Sequence, residues 1–378
     1  MSYVPDYDAF LLVSFGGPEG PDDVMPYLEN VTRGRGIPRE RLAAVAEHYY
    51  AYGGVSPINQ QCRDIIAAVR DSFDAAGLRL PVYWGNRNWK PYLTDTVREM
   101  AADGVQRAIA FVTSAYSSCS SCRQYLDDIG RARAQAGPGA PAIDKIRHYF
   151  NHPGFIGPFA ENARAALATL PPGTAAGAHL VFTAHSIPCA MAAASGPPGR
   201  PVPGYGGRYT AELTEASRLI AERVDGGTHP WELVYQSRSG PPSQPWLEPD
   251  VQDHLAELAR SGASSAVLIP VGFVSDHMEV RHDLDAEAAE VAASLGLPLA
   301  RAATPWNHPA FAAMITELVM ERLGGAGGTP AVMPRAALGG LGPAPDTCPA
   351  GCCEYPRPAP GGAGRITGAA GTAAGGAA

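Results

Sequence analysis

The stretch Thr96–Tyr116, TVREMAADGVQRAIAFVTSAY, runs from a helical period through Gly104 into the apolar run Ala108–Thr113. A second stretch, Asp250–Phe273, DVQDHLAELARSGASSAVLIPVGF, repeats that course with Gly262 in the place of Gly104 and Ala266–Val271 as its run. Helix, glycine stop and buried strand, twice over, predict two similar α/β halves with parallel sheets covered by helices. Outward from these copies, short apolar runs recur at Ala9–Ser14, Leu80–Trp84, Leu180–Thr183, Glu232–Gln236 and Leu297–Ala300. Helical periods lie between them at Arg39–Tyr50, Pro57–Ala76, Tyr92–Ala102, Arg123–Gln135, Phe155–Leu170, Tyr209–Val224 and Asp283–Ser294. The expected organisation is a first lobe over 1–152 and a second over 153–307. A helix at 308–323 then crosses back to brace the first lobe, and a Gly/Ala/Pro-rich tail fills 324–378.

Of 378 residues, 43 are Gly and 36 are Pro, yet 46% are hydrophobic, so the turn formers are expected in loops and the tail and not in the core. Net charge is −8 and no basic run is long enough to track phosphates, which argues against nucleic acid as a partner. Met1–Phe15 does not read as a secretory signal, and no apolar stretch reaches the ~18 residues that span a bilayer. The expectation is a cytoplasmic protein. Its seven cysteines then point to metal binding or reactive thiols, because a disulfide framework suits oxidising compartments. From Glu354 onward Gly, Ala and Pro dominate, and disorder is expected there.

In open α/β folds ligands bind beyond the carboxyl ends of the strands, so polar residues just after apolar runs carry the weight. His185 follows Leu180-Val181-Phe182; alone, such a histidine is more often structural. Glu279, Asp283 and Glu287 follow Val267–Pro270 at a spacing of four, which sets three carboxylates along one helix face. Like charges that close repel, and alone they form a solvated face. Their start at the binding edge instead suits a hydrated divalent cation passed inward along oxygen donors, with a π-bulge keeping the row in line. The loops Asn30–Gly36 and His48–Pro57 add Arg, Tyr and Ser among glycines, which suit carboxylates and a flat apolar ring.

Taken together, Leu11–Pro18, Gly53–Ile58, Ala184–Pro188, Gln236–Gly240, Pro245–Asp250 and Gly272–Glu279 resemble the ferrochelatase family, in the family's order from Ala9 to Leu323. The resemblance implies two Rossmann-like lobes of the class II chelatase type, a porphyrin cleft between them, and insertion of ferrous iron without ATP. A porphyrin loses two pyrrole protons as the metal enters, so the cleft needs a base beside the ring and a dry, shaped cavity. His185 matches the family's cleft histidine and is the candidate base, with Glu279 expected on the opposite wall in metal delivery or proton transfer. Asp283 and Glu287 match the acidic row that leads iron in from the surface. Phe15 stands where many bacterial relatives have Tyr, and Asn88 where some have His, which removes two oxygen or nitrogen donors. Phe15 and Trp89 are then expected to pack the macrocycle. By resemblance to the branch that metallates coproporphyrin III to coproheme, Arg33, His48, Ser56 and Tyr125 are expected to hold propionates.

Cys348, Cys352 and Cys353 interrupt a tail otherwise poor in side-chain chemistry. Massed soft thiolates suit an iron–sulfur cluster, and some ferrochelatases carry a [2Fe–2S] cluster on three tail cysteines and one internal one. The family's better-known internal position falls near Pro158, so Cys122 is the first choice for the fourth ligand, followed by Cys119 and Cys189; Cys62 reads as core. A thiol-rich disordered tail is the plain alternative. Also open at this level are a protoporphyrin IX ferrochelatase, a cobalt or nickel chelatase, and a porphyrin-binding or redox-sensing protein without turnover. A monomer is expected, with transient contact to an enzyme that accepts coproheme.

Overall fold

The computed structural model describes residues 7–34, 36–200, 202–240, 243–323 and 334–355. Two four-stranded parallel sheets form the frame. The first contains β1 (Ala9–Ser14), β2 (Val82–Asn86), β3 (Arg107–Val112) and β4 (Ala142–Lys145), in the order β2-β1-β3-β4. The second contains β5 (His179–His185), β6 (Trp231–Gln236), β7 (Ala266–Ile269) and β8 (Leu299–Arg301), in the order β6-β5-β7-β8. The two halves thus share one strand order, and the first strand of each, β1 and β5, lies between its successors. That is the switch point of each sheet, where a crevice opens at the strand ends. Ser14 at the end of β1 pairs with Asn86, and His185 at the end of β5 pairs with Gln236.

Several boundaries differ from expectation for local reasons. β2 begins two residues after Leu80, because Pro81 has no N–H to pair and serves only as an acceptor, its carbonyl taking the Phe10 N–H at 2.9 Å. The short edge strand β4 has no apolar run to announce it. Helix Pro21–Val31, with Pro at its start and Asp22 and Asp23 in its first turn, carries a good start signal that Pro26 within it obscures. The expected helix Asp283–Ser294 instead starts at Met278, is π-helical over Arg281–Ala288 and α-helical again over Ala289–Ser294. A second π-turn, Cys119–Arg123, precedes helix Gln124–Ala136.

One continuous apolar core runs through both lobes, from Phe10 and Phe111 to Phe182 and Ile269. Helix Pro309–Leu323 packs against Ile58–Ala75 of the first lobe and against Pro153–Leu167. Its Thr316 hydroxyl lies 2.6 Å from that of Ser72, and Phe311 meets Phe111 edge-on at 6.0 Å. Residues 334–355 lie along the body: Asn151 donates to the carbonyls of Leu338 and Gly342, and Arg147 to that of Ala336. Arg147 also pairs with Glu321 at 2.7 Å, with side chains only 1% and 7% exposed. Much of this anchoring falls on the segment's backbone groups, with Arg335 and Asp346 pairing with Glu321 and Arg322, which is why composition concealed it. The expected disorder beyond residue 355 lies outside the described residues.

Candidate functional site

β5 delivers His185 to the cleft, and the chain after β7 is pressed against it. Gly272 makes that approach possible, since a Cβ there would lie 2.8 Å from Ala184 Cα, and its N–H donates to the Thr183 carbonyl at 3.0 Å. The loop then runs through His277 into the short turn Met278–Val280, which carries Glu279 back to His185. His185 Nε2 and Glu279 Oε2 are 3.8 Å apart. Both belong to the second lobe, so the expectation that Glu279 faces His185 from the opposite wall is corrected. No ring fits between side chains in near contact; they act together on one face of whatever enters.

The tautomer of His185 follows from its backbone partner. Nδ1 lies 2.5 Å from the Ser186 carbonyl, which can only accept, so Nδ1 carries a proton and Nε2 presents its lone pair to the cleft in the neutral ring. His277, which the sequence reading did not assign although it lies inside a quoted motif, flanks Glu279 on the other side, with Nδ1 3.9 Å from Oε2. Its Nδ1 accepts the Glu279 N–H at 3.2 Å and caps the turn. Burial lowers the His277 pKa, keeping it neutral beside the carboxylate.

The acidic row continues down the π-helical segment, whose i→i+5 turn keeps residues four apart near one line. Asp283 accepts from Ser237 Oγ and, at 3.3 Å, from Gln236 Nε2; burial raises its carboxyl to about 6. Glu287, at the outer end, accepts from Gln252 Nε2 at 3.1 Å and pairs with His282 Nε2 at 3.3 Å, a bond that lowers its own pKa. His282 stacks on His48 of the first lobe with ring centroids 3.8 Å apart, and the Tyr52 hydroxyl reaches the Arg281 carbonyl at 3.3 Å. The row therefore runs from a lobe junction inward to His185.

On the first-lobe wall, Phe15 is partly exposed at the end of β1, and Arg87 lies over it and over Tyr125 at 5.4 and 4.8 Å. Tyr125 itself is 4% exposed with its hydroxyl 3.4 Å from Thr113 Oγ1, and Trp89 is 5% exposed with its N–H on Asp23. Both stand behind the wall. In this structure neither Tyr125 nor Trp89 is exposed, and Arg87, unassigned from sequence, pairs with Asp128 at 2.5 Å. Ser56 is buried against Gly17, His48 is taken up by His282, and Arg33 is exposed. A separate groove of about 900 Å³ along β2, lined by Arg63, Arg70, Arg79 and Trp84 among others, contains none of these residues.

The third constellation is sulfur. Cys122 from the π-turn, Cys352 and Cys353 form one buried cluster with Cys348 against it. Cys122 Sγ and Cys352 Sγ each lie 3.9 Å from Cys353 Sγ. Cys119 is buried outside this group, Cys189 is exposed and Cys62 is core. Hydrogen bonding among the thiols and burial push Cys122, Cys352 and Cys353 up to about 12, whereas Cys348, accepting from Cys352, is lowered. Among the described residues no three His, Cys, Asp or Glu side chains already surround a single metal position; the thiols pack on one another.

A row of oxygen donors ending at an imidazole, set at the strand ends of two matched parallel sheets, defines a two-lobed α/β protein built to handle a divalent cation. The family model described as ferrochelatase matches residues 7–323, and the chain belongs to that family. It is 54% identical over 364 residues to a coproporphyrin III ferrochelatase of Streptomyces griseus subsp. griseus, covering 95% of this chain and 96% of the relative. To a ferrochelatase of Rhodopirellula baltica it is 52% identical, covering 97% and 99%. Among solved structures, the sirohydrochlorin chelatase SirB from Bacillus subtilis subspecies spizizenii with cobalt aligns at a TM-score of 0.48 and 9% identity, over 83% of this chain and 94% of that one. Among the described residues no helix is long and apolar enough to cross a membrane.

Proposed function

We propose that this protein inserts ferrous iron into coproporphyrin III to give coproheme, without ATP, as a monomer in the cytoplasm that hands its product to an acceptor enzyme. The observation that carries the reading is the His185–Glu279 pair at 3.8 Å standing at the inner end of the Asp283–Glu287 row. Relatives named for coproporphyrin III support the substrate.

In this reading the row lends oxygen ligands to hydrated ferrous iron and strips water as the ion moves inward. Asp283, raised to about 6, is partly protonated near neutrality, which limits repulsion between the three carboxylates when no cation is present. His185 Nε2 takes one of the two pyrrole protons and the adjacent Glu279 carboxylate the other, both passing on to solvent. Phe15, with Arg87 over it, forms the facing wall, and Arg33, Ser56, His48 and Tyr125 are the candidates to hold propionates. The protein so becomes a proton sink and an iron funnel on a single wall.

The test is anaerobic iron insertion followed through the Soret band, with coproporphyrin III against protoporphyrin IX. His185→Ala is expected to lower the rate by about 10²–10⁴-fold while porphyrin binding persists. A parent protein that binds porphyrin and inserts no iron would sink the enzyme reading, and a preference for protoporphyrin would sink the substrate.

The same proposal seats a [2Fe–2S] cluster on Cys122, Cys348, Cys352 and Cys353. Cys122 and Cys352 each lie 3.9 Å from Cys353, with Cys348 packed against them, and four gathered thiols are the soft donor set that such a cluster takes. When bound, such a cluster supplies one-electron chemistry.

A further inference from the structure

The motif Gly272–Glu279 contains an acid that the iron path does not use. Asp276 is 8% exposed and stands just before Glu279, on the loop that leads out of β7. A second unused acid, Asp285, lies in the π-segment between Asp283 and Glu287. Two positions round such a turn from Asp283, it points to the side of the segment away from the row. Both acids meet one guanidinium. Arg301 donates through Nη2 to Asp276 Oδ2 at 3.0 Å and through Nη1 to Asp276 Oδ1 at 3.3 Å. It also donates through Nη2 to Asp285 Oδ2 at 3.2 Å and through Nε to Asp285 Oδ1. Arg301 closes β8 opposite Leu268 of β7, and the next N–H, that of Ala302, donates to the Leu268 carbonyl at 2.8 Å. Asp276 is pinned twice more: Thr304 Oγ1 donates to its Oδ1 at 3.0 Å, and its own N–H donates to Gln61 Oε1 of the first lobe at 2.6 Å.

A planar guanidinium can hold two carboxylates at once, which an ammonium on a flexible stem cannot do in the same geometry. The two held here bracket the inner part of the row in the chain, Asp276 before Glu279 and Asp285 after Asp283. The stretch that carries Glu279 and Asp283 is therefore tied at both ends to a single cation fixed on the sheet. On the reading of the row as the iron path, we propose that Arg301 is a positioning residue for iron delivery: it holds Glu279 and Asp283 at the separation at which they take a divalent cation, and acts through them on the affinity for ferrous iron. The charges divide the work in the same way. Arg301, with Arg281 at 3.1 Å from Asp285, balances Asp276 and Asp285, so the negative charge that meets an incoming cation is that of the row. Removing the guanidinium leaves neighbouring carboxylates to repel, and the loop and the π-segment move apart with Glu279 between them.

The test separates iron affinity from turnover. Full-length protein is assayed anaerobically at saturating coproporphyrin III with ferrous iron varied, and porphyrin binding is measured apart from turnover by the Soret shift. Arg301→Met, which keeps the stem and removes the donors, is expected to raise the KM for iron by about 10–100-fold, the usual cost of losing an outer partner of metal ligands. Its kcat at saturating iron and its porphyrin affinity are expected to stay close to the parent's. Arg301→Lys, which keeps the charge and holds one carboxylate only, is expected to fall between the two. A folded Arg301→Met with the parent's iron KM overturns the role of Arg301. So does a variant that loses kcat and porphyrin affinity as much as iron affinity, since Arg301 would then support the fold at large. Should Arg301→Met fail to fold, Arg301→Lys decides by the same two criteria. Asp283→Asn is run beside them. A raised iron KM there, with a parent-like Arg301→Met, overturns the clamp and leaves the row standing, whereas a parent-like iron KM in Asp283→Asn overturns the row and this inference with it.

Discussion

In the first lobe the chain leaves β3, crosses residues 113–118 and enters the π-turn Cys119–Arg123; in the second it leaves β7, crosses 270–277 and, after Met278–Val280, enters the π-segment Arg281–Ala288. The two π-helical pieces occupy equivalent places in sheets of equal strand order. They differ in what they hold. The first aims a thiol, Cys122, at three tail cysteines; the second aims Asp283 and Glu287 along a path to His185. A widened turn costs hydrogen-bond quality and recurs at functional sites because it redirects side chains. Here one backbone device presents two donor sets, and the donor type alone separates them: sulfur, which suits soft ions, and oxygen, which suits a hydrated cation.

The comparison breaks most visibly if the two π-segments are not independent. Glu279→Gln, at the head of the oxygen row, is expected to lower iron insertion by about 10²-fold or more with iron and sulfide content of the purified protein unchanged. Cys122→Ser is expected to do the reverse to the two binding properties, removing the visible absorption of the cluster while porphyrin still binds the cleft. Absorption spectra and porphyrin titration of both variants provide the check. If Cys122→Ser kept its cluster, Cys119 or Cys189 would have to be the fourth ligand, and Cys122 would lose its role.

A second, smaller effect separates the rows by charge. Burial holds Asp283 at about 6, above the ordinary 3.8, so folding favours its neutral form. That contribution is complete below 3.8 and is lost as pH rises through 6. Asp283→Asn removes the cost of the buried anion and is expected to raise stability by roughly 2 kcal/mol near pH 8 and by almost nothing near pH 4. Thermal melts of both proteins in chelator-treated buffer measure it. An increment independent of pH would place the carboxylate in solvent and return the row to a plain acidic face.

How far the sequence carries these sites depends on the range of the contacts. His185 is legible because a strand end is a local feature: Leu180-Val181-Phe182 buries the strand and the next polar ring falls at the crevice. The acidic row is legible from its spacing together with its start at the strand-end edge, and so is the wider turn beneath it. Cys122 stands out only once a fourth thiol is sought, and the fold sets it against Cys352 and Cys353. What stays hidden is contact made across the fold. Nothing near Ser117 announces that Glu212, ninety-five residues on, will accept from its N–H at 2.7 Å and from its hydroxyl at 2.8 Å. Tyr125 and Trp89 show the same limit: an aromatic in a cleft motif reads as wall, and only packing shows Arg87 and Asp23 against them. The tail's order is hidden because Asn151 and Arg147 hold it by backbone carbonyls, which every sequence has.

The smallest effect concerns the outer end of the oxygen row, where the lobes meet. His282 is raised by its hydrogen bond to Glu287, against the opposing pull of burial. His48, stacked on it, is lowered by burial first and by the His282 charge second, with Arg41 adding to that and Glu287 opposing it. One ring of the pair is therefore charged and the other neutral, which lets them stack without repulsion while the Glu287 carboxylate balances the charge. A histidine with a raised pKa contributes its stability in full below the ordinary 6.5 and loses it as pH rises through the folded value. His282→Gln is thus expected to lower stability by about 0.5 kcal/mol below roughly pH 6 and to have little effect above about pH 8, read as the gap between two melting curves across that range. A gap of the same size at both ends would mean that the stacked rings act by packing alone, and the lobe junction would then carry no charge that an incoming cation could displace.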